Sequence, residues 1–303
     1  MTVTVQHLLD RRDVSEQTWR QQRRDGIGGS DAAAVLGLSP YESALSVYYA
    51  KVEGVDKKES LAMEIGRELE PFLRRKFEQW IRDTEGCPVQ VEEVPFMLGN
   101  PDYPFMFANI DGRFTHPELG LCGLELKSTG EFQRSAWEED EVPDHCYIQV
   151  QHYMAVTGLQ HFYIAYLIGN RIFSAKRVPR NDKVIETLVE QLEKFWSGHV
   201  LQGVPPAPGG LGCDTEILKQ LYPAEEGSTI DLSHCQGYYD RYQELKKQEK
   251  ELKQEVETIR QHFMAEMKEA QTALVGSKKI TWKTVERKGY TVAPSSSRVL
   301  RIG

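Results

Sequence analysis

Residues 120–129 read GLCGLELKST, an apolar, β-prone run that carries two charges, Glu125 and Lys127, with Leu126 between them. Strand side chains alternate faces, so Glu125 and Lys127 point one way and Leu126 the other. An acid and a base on one face of an otherwise apolar strand are costly to bury unless they are paired or metal-bound. A pair of this kind is common on protein surfaces as a plain salt bridge. Asp111, in the Ile110-Asp111-Gly112 strand end 14 residues upstream, narrows the reading. An antiparallel strand pair brings Asp111 to Glu125, and two converging carboxylates attract an oxygen-loving cation such as Mg²⁺ or Mn²⁺. A lysine beside them orients or deprotonates water while the metal stabilises charge on an attacked phosphate.

The surroundings fit a mixed α/β chain. Short β-prone runs at 89–98, 103–110, 112–116 and 120–129 read as a strand meander, and 161–169 with 171–178 as a hairpin around Gly169-Asn170. A Gly-rich turn leads into a helix at 31–38, with Ser30 or Asp31 as its natural cap, and a second short helix spans 43–54. Ile65, Leu69, Phe72, Leu73, Phe77 and Trp80 recur at helical spacing within 63–83, which predicts one buried face; Glu70 rides on that helix. A further helix over 147–158 carries Gln149 and Gln151, and 182–200 is amphipathic. The Pro/Gly segment 203–210 is the best boundary, giving a domain over 1–210 and an extension over 211–303. In that extension a heptad-patterned helix is expected over 237–275 and a β-hairpin over 279–293.

The five cysteines are scattered with no CxxC pair, which argues against a secreted disulfide framework and disfavours a zinc or iron–sulfur site. No apolar run approaches the length of a membrane span, and the first residues show no secretory signal.

The ordered motifs RRDGIGGSDAAAVLGLSPY, GRELEP, DGRF, GLELKS and YIQVQHYMAVTG resemble the YqaJ-like viral recombinase family. These are relatives of the phage lambda exonuclease within the PD-(D/E)xK nucleases. The resemblance covers about residues 15–208. It implies a restriction-endonuclease-like mixed sheet flanked by helices, here with a C-terminal extension of long helix and hairpin. The implied activity is a Mg²⁺- or Mn²⁺-dependent exonuclease that degrades one strand of duplex DNA from a 5′ end. The 3′ single-stranded overhang is handed to an annealing protein for recombination.

Residue by residue, the resemblance assigns metal binding to Asp111, Glu125, the carbonyl of Leu126 and Glu70. It makes Lys127 the catalytic lysine and places Gln149 near the metals. It gives Arg24 and Ser30 to the 5′ phosphate and Gln151 to DNA contact. Ile110 stands where the loose family signature has Pro, a position the chemistry does not need. The resemblance also implies double-stranded DNA ends as substrate, a ring-shaped homotrimer, and a phage or prophage protein acting in the bacterial cytoplasm. An endonuclease on the same core, or a non-catalytic adaptor on DNA ends, are the alternatives. The 238–263 seam serves trimer formation, folds back on its own chain, or recruits the annealing protein.

The net charge of −8 argues against non-specific nucleic-acid binding. Its distribution answers part of that objection. Residues 11–24 carry a net +3 and 278–303 a net +6, with Trp282 and Tyr290 as anchors for DNA or a partner, and 138–141 is an acidic run.

Overall fold

The computed structural model describes residues 4–55, 60–137, 142–223, 227, 229–286, 300 and 302. The chain forms two compact units, residues 1–222 and 223–303. The acidic run 138–141, Tyr290 and the basic residues Arg287, Lys288, Arg298 and Arg301 lie outside the described residues.

The first unit contains β1 (Gln6–Asp10), α1 (Glu16–Gln22), α2 (Gly29–Val35), α3 (Ala44–Val52), α4 (Leu61–Glu85), β2 (Phe96–Gly99) and β3 (Phe107–Ala108). There follow β4 (Gly112–His116), β5 (Gly120–Thr129), α5 (Asp144–Thr157), β6 (His161–Ile168), β7 (Ile172–Pro179), α6 (Asp182–Phe195) and α7 (Gly212–Leu221). The main sheet has the order β4-β5-β6-β7. β5 and β6 are parallel, and the other two pairings are antiparallel. Parallel neighbours need a long crossover, which α5 supplies between β5 and β6. The sheet is therefore mixed and flanked by helices, as expected. A smaller sheet, β1-β2-β3, includes a strand that the polar run 6–10 does not advertise.

Strand alternation sets the layers. On β5, Cys122, Leu124 and Leu126 join Leu73, Phe77 and Ile81 of α4 in one core. The opposite face of the sheet, with Phe162 and Ile164 of β6, packs with α2, α3, α5 and α6 in a larger core. Gly123, Glu125 and Lys127 therefore lie on the side away from α4.

On α4, Leu73, Phe77 and Ile81 are buried, and Leu69 and Trp80 pack partly against them. Ile65 and Phe72, expected on the buried face, are exposed. The contact with the sheet runs along residues four apart, and Phe72 falls beside that line rather than on it.

α7 lies beyond the Pro/Gly segment yet belongs to the first unit. Its buried Asp214 accepts hydrogen bonds from Ser43 Oγ, Gly209 N (2.6 Å) and Gly210 N (3.1 Å). These tie the helix to α3 and hold the segment that was expected to separate domains.

The second unit contains α8 (Gln236–Met267), β8 (Thr272–Val275) and β9 (Lys278–Thr281). The helix ends eight residues short of the expected 275. β8 and β9 form a hairpin that turns at Gly276-Ser277, where Gly276 takes the left-handed φ of 58° that a two-residue loop favours; residues 287–293 of the hairpin expected over 279–293 lie outside the described residues. All five cysteines are free: Cys87, Cys122 and Cys146 are buried, Cys213 and Cys235 half-buried. Among the described residues no helix is long and apolar enough to cross a membrane.

Candidate active site

β4 and β5 pair with Gly112 opposite Leu124, which carries Asp111 to the side of β5. Its Oδ2 accepts the Leu126 N–H at 2.7 Å. Arg74 on α4 donates to the Asp111 carbonyl oxygen at 2.6 Å and lies 3.9 Å from Glu70. One arginine thus links the helix acid to the start of β4.

Glu125 is buried, and its Oε1 lies 2.7 Å from Lys127 Nζ. Gln149 on α5 spans the pair. Its Oε1 accepts from Lys127 Nζ at 2.7 Å and its Nε2 donates to Glu125 Oε1 at 2.8 Å. The second carboxylate oxygen, Glu125 Oε2, is buried and has no hydrogen-bond partner.

The electrostatics follow from this crowding. Burial, then Glu125, then Glu70 push the Asp111 carboxyl well above the usual carboxylate range. Burial also raises Glu70; Arg74 opposes the shift and Glu125 adds to it. Burial acts to neutralise Lys127, but the adjacent Glu125 outweighs it and holds the ammonium form above the ordinary lysine range. Three acids repelling one another, with one carboxylate oxygen buried and unpartnered, form a donor set that suits a divalent cation. Asp111, Glu125, the Leu126 carbonyl and Glu70 are the ligands that the family resemblance implies. Among the described residues no three His, Cys, Asp or Glu side chains close as a ready-made metal cage.

α2 packs against α5 beside this cluster. A Cβ on Gly29 would fall 2.5 Å from the Tyr153 ring and 3.0 Å from Gln149 Cγ, so only glycine permits the approach. Tyr153 shares a 2.8 Å hydrogen bond with Gln149 Nε2. Tyr153 escapes the sequence reading, although the i, i+4 spacing from Gln149 on one helix face signals it.

Neither Ser30 nor Asp31 caps α2. Gly28 does, and Asp31 reaches back to its N–H at 2.9 Å, while Ser30 is exposed in the first turn. Asp31 is buried and pairs with Lys51 at 2.6 Å; Lys51 also donates to the Arg23 carbonyl at 2.7 Å. Arg24 lies against Gly54, where a Cβ would meet its guanidinium carbon at 2.2 Å. Its Nε is buried without a partner, and its Nη2 reaches the Gly54 carbonyl only at 3.5 Å.

Gln151 stands apart from the site. It is fully buried, donates to the Pro179 carbonyl at 2.9 Å and accepts from Asn181 N at 2.9 Å. Those bonds join α5 to the end of β7 and use both ends of its amide, so the DNA contact expected of it is corrected to a role in the fold.

A model of the YqaJ-like viral recombinase domain matches residues 18–160. The protein YqaJ of Bacillus subtilis strain 168, itself described as uncharacterized, is 32% identical over 284 residues, 92% of this chain and 86% of that protein. Solved structures with a similar course include LHK-Exo in complex with dAMP, with a TM-score of 0.48 and 19% identity over 68% of this chain and 97% of that one. The alkaline exonuclease LHK-Exo from Laribacter hongkongensis gives a TM-score of 0.47 at 19% identity over 68% and 97%. A phage related exonuclease from Haemophilus somnus 129PT gives 0.40 at 12% identity over 59% and 96%. With its ordered motifs and a relative matched along nearly its whole length, the chain belongs to the YqaJ-like viral recombinase family.

Proposed function

We propose that this protein is a divalent-metal-dependent 5′–3′ exonuclease on double-stranded DNA that leaves 3′ overhangs for recombination. The observation that carries the reading is the buried, unpartnered Oε2 of Glu125 beside an Asp111 carboxyl pushed up by burial and by neighbouring acids. Glu125, Asp111, the Leu126 carbonyl and Glu70 would hold Mg²⁺ or Mn²⁺, which supplies charge stabilisation on the phosphate and a more acidic water.

The chain's own groups do the rest. Lys127, 2.7 Å from Glu125 Oε1, would orient or deprotonate the attacking water beside the scissile phosphate. Gln149 fixes both members of that pair. Arg24, with a buried N–H left over, and Ser30, exposed on the first turn of α2, are the groups we assign to the 5′ phosphate. In this reading a single-strand-annealing protein receives the overhang, and a ring-shaped homo-oligomer keeps the enzyme on its strand. Membership of a viral recombinase family supports both, and with them a phage or prophage origin.

The test uses the full chain on linear 5′-phosphorylated duplex and on closed circular duplex, each with Mg²⁺ or EDTA. Degradation of the linear duplex alone, from its 5′ ends and abolished by EDTA, is expected. Equal cutting of closed circles would assign an endonuclease instead. Full activity of Lys127→Ala would remove the assignment.

A further inference from the structure

Along the 32 residues of α8 only Met267 is buried. Tyr242, Leu245, Leu252, Val256, Ile259 and Phe263 lie in one seam at alternating steps of 3 and 4, and Glu249 fills the gap. Leu252 is 62% exposed, Val256 54% and Ile259 49%. An apolar row repeating every 3.5 residues fits a second helix wound against it. Exposed over several turns, it marks an interaction surface.

Charge decides which helix that is. Glu249 shares the a positions of the heptad with Tyr242, Val256 and Phe263, while Leu245, Leu252 and Ile259 take d. One flank carries Lys246, Lys253 and Arg260, and the other Arg241, Gln248, Glu255 and His262. Parallel self-pairing matches Glu255 with the second copy's Arg260, but it sets Arg241 beside that copy's Lys246 and puts Glu249 against the same residue inside the seam, where the like charges are least solvated. Antiparallel self-pairing centred on the seam sets Lys246 beside Lys253 of the copy, twice. Both arrangements oppose like charges. In the helix alone Glu249 sits 2.5 Å from Lys246 and 2.5 Å from Lys253, so flank bases are drawn over the seam acid. Exposed pairs of this kind are weak and exchange readily.

We propose that the α8 seam docks an amphipathic helix of a different protein, one with acidic flanks and a lysine or arginine facing Glu249. Such an occupant neutralises Glu249 with its own cation and frees Lys246 and Lys253 for its acids. Leu245, Leu252, Val256 and Ile259 leave water in the same step. Like-charge rejection of a second copy supplies the specificity. The inference stands independently of the nuclease reading.

The experiment uses the full chain and three fluorescein-labelled four-heptad peptides with Val and Leu in the seam. The first has Glu flanks and Lys facing Glu249, the second Glu flanks and Glu there, and the third Lys flanks. Fluorescence anisotropy is expected to rank the first at least about tenfold tighter than either other. Glu249→Lys is expected to reverse the order of the first two, and Leu252→Asp to abolish binding. Light scattering should give one mass for wild type and Leu252→Asp. Equal binding of the peptides, or binding of none, overturns the proposal. A mass that falls in Leu252→Asp also overturns it and assigns the seam to a second copy. If circular dichroism shows that Leu252→Asp loses helix, Glu249→Lys carries the test.

Discussion

Gln149 holds Glu125 by one oxygen: its Nε2 donates to Oε1 at 2.8 Å and leaves Oε2 buried with no partner. That asymmetry predicts a metal-dependent stability. Mn²⁺ at about 100 times its dissociation constant should stabilise the fold by about 2.7 kcal/mol through binding alone. Asp111→Asn removes one of three mutually repelling acids, so it should raise the metal-free melting temperature and abolish the Mn²⁺-induced rise. Thermal melts with Mn²⁺ and with EDTA measure both. A variant that melts lower without metal and still responds to it would contradict the assignment.

Gln149 also accepts from Lys127 Nζ at 2.7 Å, so one side chain bonds to both of the groups proposed to act on the phosphate. Gln149→Leu should lower kcat about 10–100-fold, the scale seen when groups that orient a metal's ligands are lost. KM for linear duplex should change little, because Gln149 lies behind the carboxylates. Steady-state kinetics on 5′-phosphorylated duplex separates the two parameters.

The site was legible where chemistry conflicts with its surroundings, and illegible where it does not. Glu125 and Lys127 stand out because strand alternation puts both on one face of an apolar run. Gln151 and Gln149 look alike in sequence, yet one bonds to the end of β7 and the other to Glu125 and Lys127. α5 is buried on nearly every side, so helical position alone does not sort its polar residues. Ile65 and Phe72 follow a helical period, and the period does not reveal that the sheet meets only the row through Leu73, Phe77 and Ile81. β1 leaves no mark in the sequence because its side chains are exposed or half-exposed, so nothing apolar alternates.

Asp31 and Lys51 form a buried pair 2.6 Å apart behind the turn that carries Arg24. Breaking such a pair leaves an uncompensated buried charge and costs about 3–5 kcal/mol. Lys51→Met should therefore destabilise the fold by that amount, and Lys51→Met with Asp31→Asn by less than half of it. Urea unfolding of the three chains checks the order. If the double variant is the least stable, the pair is stabilising in itself.

His152 is fully buried, and its Nε2 lies 3.0 Å from the Phe107 carbonyl. Burial pulls its pKa down to about 4, against an opposing pull from that carbonyl and from Asp31. A histidine whose folded pKa is depressed stabilises fully above its unfolded value near 6.5, and that contribution is lost as pH falls toward 4. The loss amounts to about 3 kcal/mol by pH 4. His152→Gln should flatten the fall in melting temperature between pH 6.5 and 4, whatever it costs at pH 7. An unchanged slope would place the acid sensitivity on other groups.

Gly29 connects the packing of α2 to the site. An added Cβ meets the Tyr153 ring at 2.5 Å, below any normal contact distance, and Gln149 Cγ at a tight 3.0 Å. Glycine to alanine in a helix ordinarily gains about 0.5–1 kcal/mol. Overpacking a buried contact costs about 1–3 kcal/mol, so the clash wins and Gly29→Ala should be destabilising. Relief requires Tyr153 to move, and Tyr153 shares a hydrogen bond with the Gln149 amide that spans Glu125 and Lys127. The substitution should therefore lower kcat well beyond the loss of folded protein. Thermal melts and kcat measured on the same preparation test the two effects. Full activity in a destabilised Gly29→Ala would mean that Gln149 keeps its place without the tyrosine.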